Sequence, residues 1–238
     1  MWSKTFGVFW KILKSKGDII HVNYALQDAY LVDKLKPNLD ILHVHGSDVR
    51  WAIHSKKYGW IVKSNLRNAE KTLYSTPDLE SLVKKYRPDA IYQPTPIRTT
   101  VFKQKENYND PPQALYFKLS YEKPPFRLME LLGKHGIALK VKDRDVPYDL
   151  IPSTLSNFDI YIDRFTIPSL SKTCLEAMSC GLATIDYRHE VKLPETVAHL
   201  SDASNVKDVG AINRDFVEEN HEAGKIAEML AKIWEETL

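Results

Sequence analysis

Long apolar runs are missing from this chain. Nowhere does it approach the roughly 18 consecutive apolar residues that a membrane-crossing helix needs, so no span is expected. Its first residues carry no cleavable leader pattern, which makes the cytoplasm the expected compartment. Cysteine is scarce: Cys174 and Cys180 are the only two, and a six-residue offset on one helix does not bring them to a common face. They read as reduced core residues. Glycine is scarce too, with 9 in the chain, no adjacent pair and no Gly-x-Gly, which rules out a glycine turn cradling phosphates. Net charge is nearly absent: 33 basic against 31 acidic residues leave +2, far from the basic excess of a general nucleic-acid binder, so no nucleic-acid partner is expected.

What remains is an ordinary globular composition. At 238 residues and 43% hydrophobic content the chain can bury one large core or two small ones. Residues 1–16 place Trp2, Phe6, Phe9, Trp10 and Leu13 at helical spacing, with Lys4, Lys11 and Lys14 on another side. Such a helix can lie on a sheet through its aromatic stripe or make a peripheral membrane contact. Apolar strands at 18–24, 39–45, 71–75 and 90–93, with helices at 27–35 and 77–86, follow the pattern of a parallel sheet covered on both faces. The stretch 51–69 reads as surface helix and loop. The polar run 103–112 (KQKENYNDPP) reads as a domain boundary. After it the pattern restarts, with strands at 114–118, 137–141, 158–163 and 182–186, helices at 124–132 and 149–155, polar connections to 208 and one helix over 213–237.

Three short motifs carry little. His43-x-His45 has no third ligand nearby to complete a zinc set. Asp143-Arg144-Asp145 reads as solvated turn charges. Ser169-x-x-Lys172 has no companion hydrolase motifs.

The segment 169–184 (SLSKTCLEAMSCGLAT) carries more. Polar Ser169, Ser171 and Thr173 are candidates for the helix N-cap, Cys174, Leu175, Ala177 and Met178 cover most of its circumference, and Gly181 ends it. Glu176 sits among these apolar residues. A buried carboxylate needs a partner or a ligand, since stripping a buried charge of its partner costs about 3–5 kcal/mol. A hydrogen bond to a neighbouring group would satisfy it, and so would a bound molecule. The open amides at the start of the helix would face any anion that the loop meets.

This same segment resembles the donor-binding segment of the retaining glycosyltransferases of family 4, which have the GT-B fold of two facing Rossmann-like domains. In that family two glutamates eight positions apart bracket the segment. Glu176 matches the second, which holds the nucleotide ribose; the first falls at Pro168, and the aromatic-glycine pair that follows it is Leu170-Ser171 here. HVHGSDVR resembles the family segment whose histidine approaches donor sugar and acceptor, which implies His45. FKLSYEKPP resembles the element whose two cations neutralise the donor diphosphate, which implies Lys118 and Lys123. QPTPI resembles the turn leading out of the N-terminal domain.

The resemblance implies a GT-B-like α/β fold of two Rossmann-like parallel-sheet domains, 1–104 on the acceptor side and 105–238 on the donor side, with the first incomplete because the family's opening strand and glycine turn are not present. It implies hexosyl transfer from a nucleotide-diphosphate sugar to an acceptor hydroxyl with retention. His45 is expected beside the reacting sugar, and Lys118, Lys123, Ser171, Lys172, Thr173 and Glu176 at the donor. No cofactor and no metal are expected, since fixed cations stabilise the leaving diphosphate. The expected partners are the donor, a sugar or lipid-linked acceptor, a membrane surface at 1–16, and an oligomer completing the N-terminal domain. Pro168 keeps two alternatives open: a nucleotide-sugar-binding partner subunit with impaired catalysis, or a nucleotide-sugar epimerase of the same fold.

Overall fold

The structure, a computed structural model, describes residues 10, 12, 14, 17–36, 38–118 and 126–238. Of the helix expected over 1–16, only Trp10, Ile12 and Lys14 are described, all helical. The rest of that helix, and Lys123 with the remainder of 119–125, lie outside the described residues. Two units form, one from Met1–Thr95 with Ile226–Leu238, the other from Pro96–Lys225.

In the first unit β1 (His21–Asn23), β2 (Ile41–Val44), β3 (Lys71–Tyr74) and β4 (Ile91–Tyr92) pair in parallel in that order. Register sets Val22 beside Leu42 and Leu42 beside Thr72. Ile41, Leu42, Val44 and Leu73 are fully buried because helices cover both faces, the condition under which strands read as continuous apolar runs. On one face lie the helices Gln27–Leu35 and Gly59–Asn68, which contribute Ala29, Val32, Val62 and Leu66 to one core with Val44. The second helix is more deeply committed than its composition suggests. Asn65 in its middle is buried and donates to the carbonyls of Ala25 and Leu26 at 3.2 and 3.0 Å, so a polar residue staples the core. On the other face Ile233, from the helix Ala223–Glu235, packs with Ile41 and Leu73. That return of the C-terminal segment makes the unit discontinuous in sequence.

In the second unit the parallel order is β6-β5-β7-β8, with β5 Gln113–Lys118, β6 Ala138–Asp143, β7 Ile160–Ile162 and β8 Ala183–Ile185. The helix Lys172–Ser179 lies in its core, every residue after Lys172 being buried. Gly181 ends it with φ +77°, a left-handed turn that a side chain would strain. The helix Ala203–Asn220 crosses so closely there that a Cβ on Gly210 would stand 2.0 Å from the carbonyl oxygen of Gly181. Both cysteines are buried and unpaired by disulfide, and burial pushes the Cys180 thiol up to about 12.

Two expectations from the sequence need correcting, and the division of the chain differs as well. It divides at Pro96, within the turn 94–96, and not after 104. The polar run 103–112 belongs to the second unit, where it serves fully buried Asp159: Lys105 Nζ reaches Asp159 Oδ1 at 2.7 Å, and Asn109 donates its backbone amide and its Nδ2 at 3.0 and 2.8 Å. Polarity there satisfies a buried charge and does not mark a linker. The single helix expected over 213–237 is two, and the stretch to 208 is not only connections, since it holds Leu193–His199 and the start of Ala203–Asn220. Asp202 caps that start by accepting from the Ser204 amide at 2.7 Å. Ile97 inserts at the break, donating to the His221 carbonyl at 2.7 Å and accepting from the Ala223 amide at 3.0 Å. Among the described residues no helix is long and apolar enough to cross a membrane.

Candidate functional site

Parallel strands end on one edge, and ligands of open α/β sheets gather beyond it. In the second unit this edge carries Lys118, Asp143, Asp163 and Asp186, each the last residue of a strand or the one after it. Asp163, 3% exposed, accepts from the Ser171 amide at 2.8 Å and so ties the loop after β7 to the head of the buried helix. Burial raises its carboxyl above the ordinary range, against the pull of the Ser171 hydrogen bonds. Ser171 is the N-cap, its Oγ accepting from the Cys174 amide at 3.0 Å. One turn further in, Glu176 projects from the same helix, only 3% exposed.

Two groups cover Glu176. Tyr148 donates its hydroxyl to Oε1 at 2.8 Å, and Lys172 Nζ stands 3.6 Å from the same oxygen and 4.8 Å above the Tyr148 ring. Burial raises the Glu176 carboxyl, opposed by Tyr148 and Lys172. The carboxylate therefore has its partner within the unit. Tyr148, itself 46% exposed, gives it the kind of hydrogen bond that a ribose hydroxyl would give.

Beside this cap lies a narrow cleft bounded by Arg144, Asp163, Arg164, Ser171 and Thr173, with about 20 Å³ of enclosed space, room for a single oxygen-sized group. Arg144 Nη2 donates to Thr173 Oγ1 at 3.3 Å, and Arg164 Nε is buried without a hydrogen-bond partner. Two guanidiniums beside the head of a helix, with its amides and positive pole, are the chemistry that can hold an anion, and the Asp163 carboxylate in the same cleft opposes it.

Of the expected donor residues, the structure brings Ser171, Lys172, Thr173 and Glu176 together. Lys118 is on the same sheet edge but half exposed, 3.9 Å from exposed Asp143, a pair too solvated to hold it. Lys123 is outside the described residues. The sequence does not single out Tyr148, Arg144 or Arg164. Arg144 looks like a turn charge when the strand is expected to stop at 141; β6 runs on to Asp143 and delivers Arg144 to the sheet's edge. Arg164 had a usable signal, since it follows a buried strand by two residues.

His45 belongs to the first unit, just past β2. Its Nε2 stands 2.8 Å from Asn23 Oδ1, its Nδ1 2.9 Å from Ser75 Oγ, and Ser75 Oγ is 2.9 Å from His43 Nε2. The His43 and His45 rings are 4.3 Å apart. Burial lowers all three neighbouring histidines, His43 to about 3, with His45 adding to the effect on His43 and His21 while Asp48 pulls His45 back up. Asp48, 1% exposed, accepts from the amides of Ala25 and Gly46 at 3.0 and 2.9 Å and so joins the loops after β1 and β2. Tyr24 between them takes a left-handed backbone, φ 72°, with its ring 5.1 Å from His45, strain of the sort found where a site must be shaped. No group of three His, Cys, Asp or Glu suited to a metal ion occurs among the described residues.

Compared with solved structures, the chain is similar to a sucrose-phosphate synthase from Thermosynechococcus elongatus (TM-score 0.69, 12% identity, 99% of this chain and 77% of that one). The fold is GT-B-like. It is similar also to the N-terminal domain of Candida albicans trehalose-6-phosphate phosphatase (0.63, 10%, 99% and 77%) and to S. aureus TarM, in a complex containing UDP (0.60, 10%, 86% and 57%). Sucrose-phosphate synthase and TarM are glycosyltransferases. The chain spans little more than half of TarM's length. No protein-family model matches the sequence, and no curated protein matches it.

Proposed function

We propose that the chain is a glycosyltransferase that moves a sugar from a nucleotide-diphosphate donor to an acceptor hydroxyl with retention. The observation that carries this reading is Glu176: a buried carboxylate one turn inside a helix whose head also offers Ser171, Thr173 and Arg144, on the carboxyl edge of a parallel sheet. On this reading Glu176 binds the ribose after exchanging Tyr148's hydroxyl for the nucleotide's, and Lys172 follows it as counter-charge. Arg144, Arg164 and the open amides beside Ser171–Thr173 engage one oxygen of the diphosphate at the cleft, with Lys118 and Lys123 supplying outer positive charge. Negative charge grows on the leaving diphosphate as the glycosidic bond breaks, and fixed cations stabilise it without reorganising. His45 is the residue assigned to the reacting sugar. The acceptor is a sugar or a lipid-linked hydroxyl, and in the second case residues 1–16 supply a peripheral membrane contact for a cytoplasmic enzyme.

Donor turnover tests this. The whole chain, incubated with a panel of nucleotide sugars and mixed acceptors, is expected to release nucleoside diphosphate and to lose that activity in Glu176→Ala. Absence of turnover with every donor, with or without acceptor, removes the transferase. A second reading has its own support: Pro168 replaces the first family glutamate and Glu176 is already satisfied by Tyr148. A nucleotide-sugar-binding subunit would then bind donor without turnover. Sugar conversion in the absence of acceptor would instead identify an epimerase.

A further inference from the structure

With Asn23 Oδ1 turned towards it, His45 has one place for its proton. Asn23 Oδ1 is an acceptor and nothing else, so the ring nitrogen 2.8 Å from it, Nε2, carries hydrogen. Neutral imidazole has one N–H, so Nδ1 is bare and accepts from the Ser75 hydroxyl at 2.9 Å. Ser75 has then spent its single proton, and its oxygen accepts from His43 Nε2 at 2.9 Å. The chain runs in one direction, from His43 through Ser75 to His45 and out to Asn23. Reversing it requires Asn23 to present its NH₂ instead.

We propose that Asn23, Ser75 and His43 are positioning residues that lock His45 as the neutral Nε2–H tautomer, so that it donates a hydrogen bond to a neutral oxygen of the bound sugar and does not act there as a general base. Ser75 is 5% exposed and cannot itself meet a ligand; it acts through His45. His43 lies at the inner end, held neutral by burial, so it can donate to Ser75 without delivering a charge. Asn23, exposed at the outer end, is the partner that a ligand oxygen can replace at Nε2. The requirement on the ligand is an oxygen with a free lone pair and no charge, which a sugar hydroxyl or ring oxygen meets. That last step rests on the transferase reading; the tautomer does not.

Long-range ¹H–¹⁵N correlation of the histidine rings in the whole chain reads the tautomer directly. At neutral pH His45 is expected to show a protonated Nε2 and a bare Nδ1. Ser75→Ala removes the donor to Nδ1, so the His45 ring is expected to titrate at higher pH than in the wild type, with Ser75→Thr restoring it. In turnover, Ser75→Ala is expected to lower kcat about tenfold while KM for the donor stays, the scale of one neutral hydrogen bond. A His45 found as Nδ1–H or as imidazolium at neutral pH overturns the proposal, as does a Ser75→Ala chain with unchanged His45 titration. If the wild type turns over no donor, the transferase reading fails alone, and the ring spectra still decide the tautomer. A His45 whose Nε2 is bare with donor bound would mark a general base and refute the donor role.

Discussion

Acid should weaken the first unit through His43 in particular. An unfolded histidine titrates near 6.5, whereas His43 in place titrates at about 3 because it is buried against His45 and His21. The folded unit thus refuses a proton that the unfolded chain accepts, and stability falls as pH drops below about 6.5, continuing until His43 itself protonates. At about pH 5 the deficit is RT ln(1 + 10^1.5), about 2 kcal/mol, against under about 0.1 at pH 7.5. All five tryptophans fall in the segments of the first unit, so selectively excited tryptophan fluorescence follows this unit alone. The raised carboxyls Asp163 and Glu176, which act with the opposite sign, lie in the other unit. Urea titrations at the two pH values, on wild type and His43→Gln, separate His43 from the unit's other acid-sensitive groups, among them His21, His45 and Asp78. The variant is expected to lose about 2 kcal/mol less than the wild type on acidification. Equal pH dependence, to within a few tenths of a kcal/mol, would mean that His43 titrates as in water, and the buried relay described above would be wrong.

Three further outcomes are expected. Tyr148→Phe should tighten nucleoside diphosphate binding up to about tenfold, because a hydrogen bond to a charged acceptor worth about 1.5 kcal/mol no longer competes; calorimetry on the two chains checks it. Glu176→Gln should weaken nucleotide binding about tenfold while stabilising the second unit at neutral pH. A carboxyl whose folded value is raised costs stability above that value, and glutamine keeps the acceptor for Tyr148 without the charge, as denaturation followed by circular dichroism would show. Asp159→Ala should destabilise the second unit by about 3–5 kcal/mol, since it strands Lys105 Nζ in a buried setting, with tryptophan fluorescence unfolding unmoved.

Much of the architecture was legible because its signals are local. Helix 27–35 and the head of the helix at Ser171 follow from spacing and cap chemistry, and the parallel sheets from apolar runs separated by helices. What escaped was long-range. Run 103–112 is polar because Asp159, some fifty residues away, needs it, and no local pattern announces that. The break at His221 depends on Ile97 arriving from elsewhere. In the site, Glu176 was visible as a charge among apolar residues, but Tyr148 and Arg144 owe their roles to where β6 ends and the next turn folds, a matter of two residues that propensity does not resolve. Ser75 gave no sign, being one more serine until the register of β2 and β3 set it beside two histidines.

Calorimetric titration of the whole chain with uridine, guanosine and adenosine diphosphates, each beside its phosphate-free nucleoside, tests the account at its centre. At least one diphosphate is expected to bind more tightly than its nucleoside, and the difference should vanish in the Arg144→Ala, Arg164→Ala double variant. No heat from any diphosphate, or binding that the double variant leaves untouched, would contradict it.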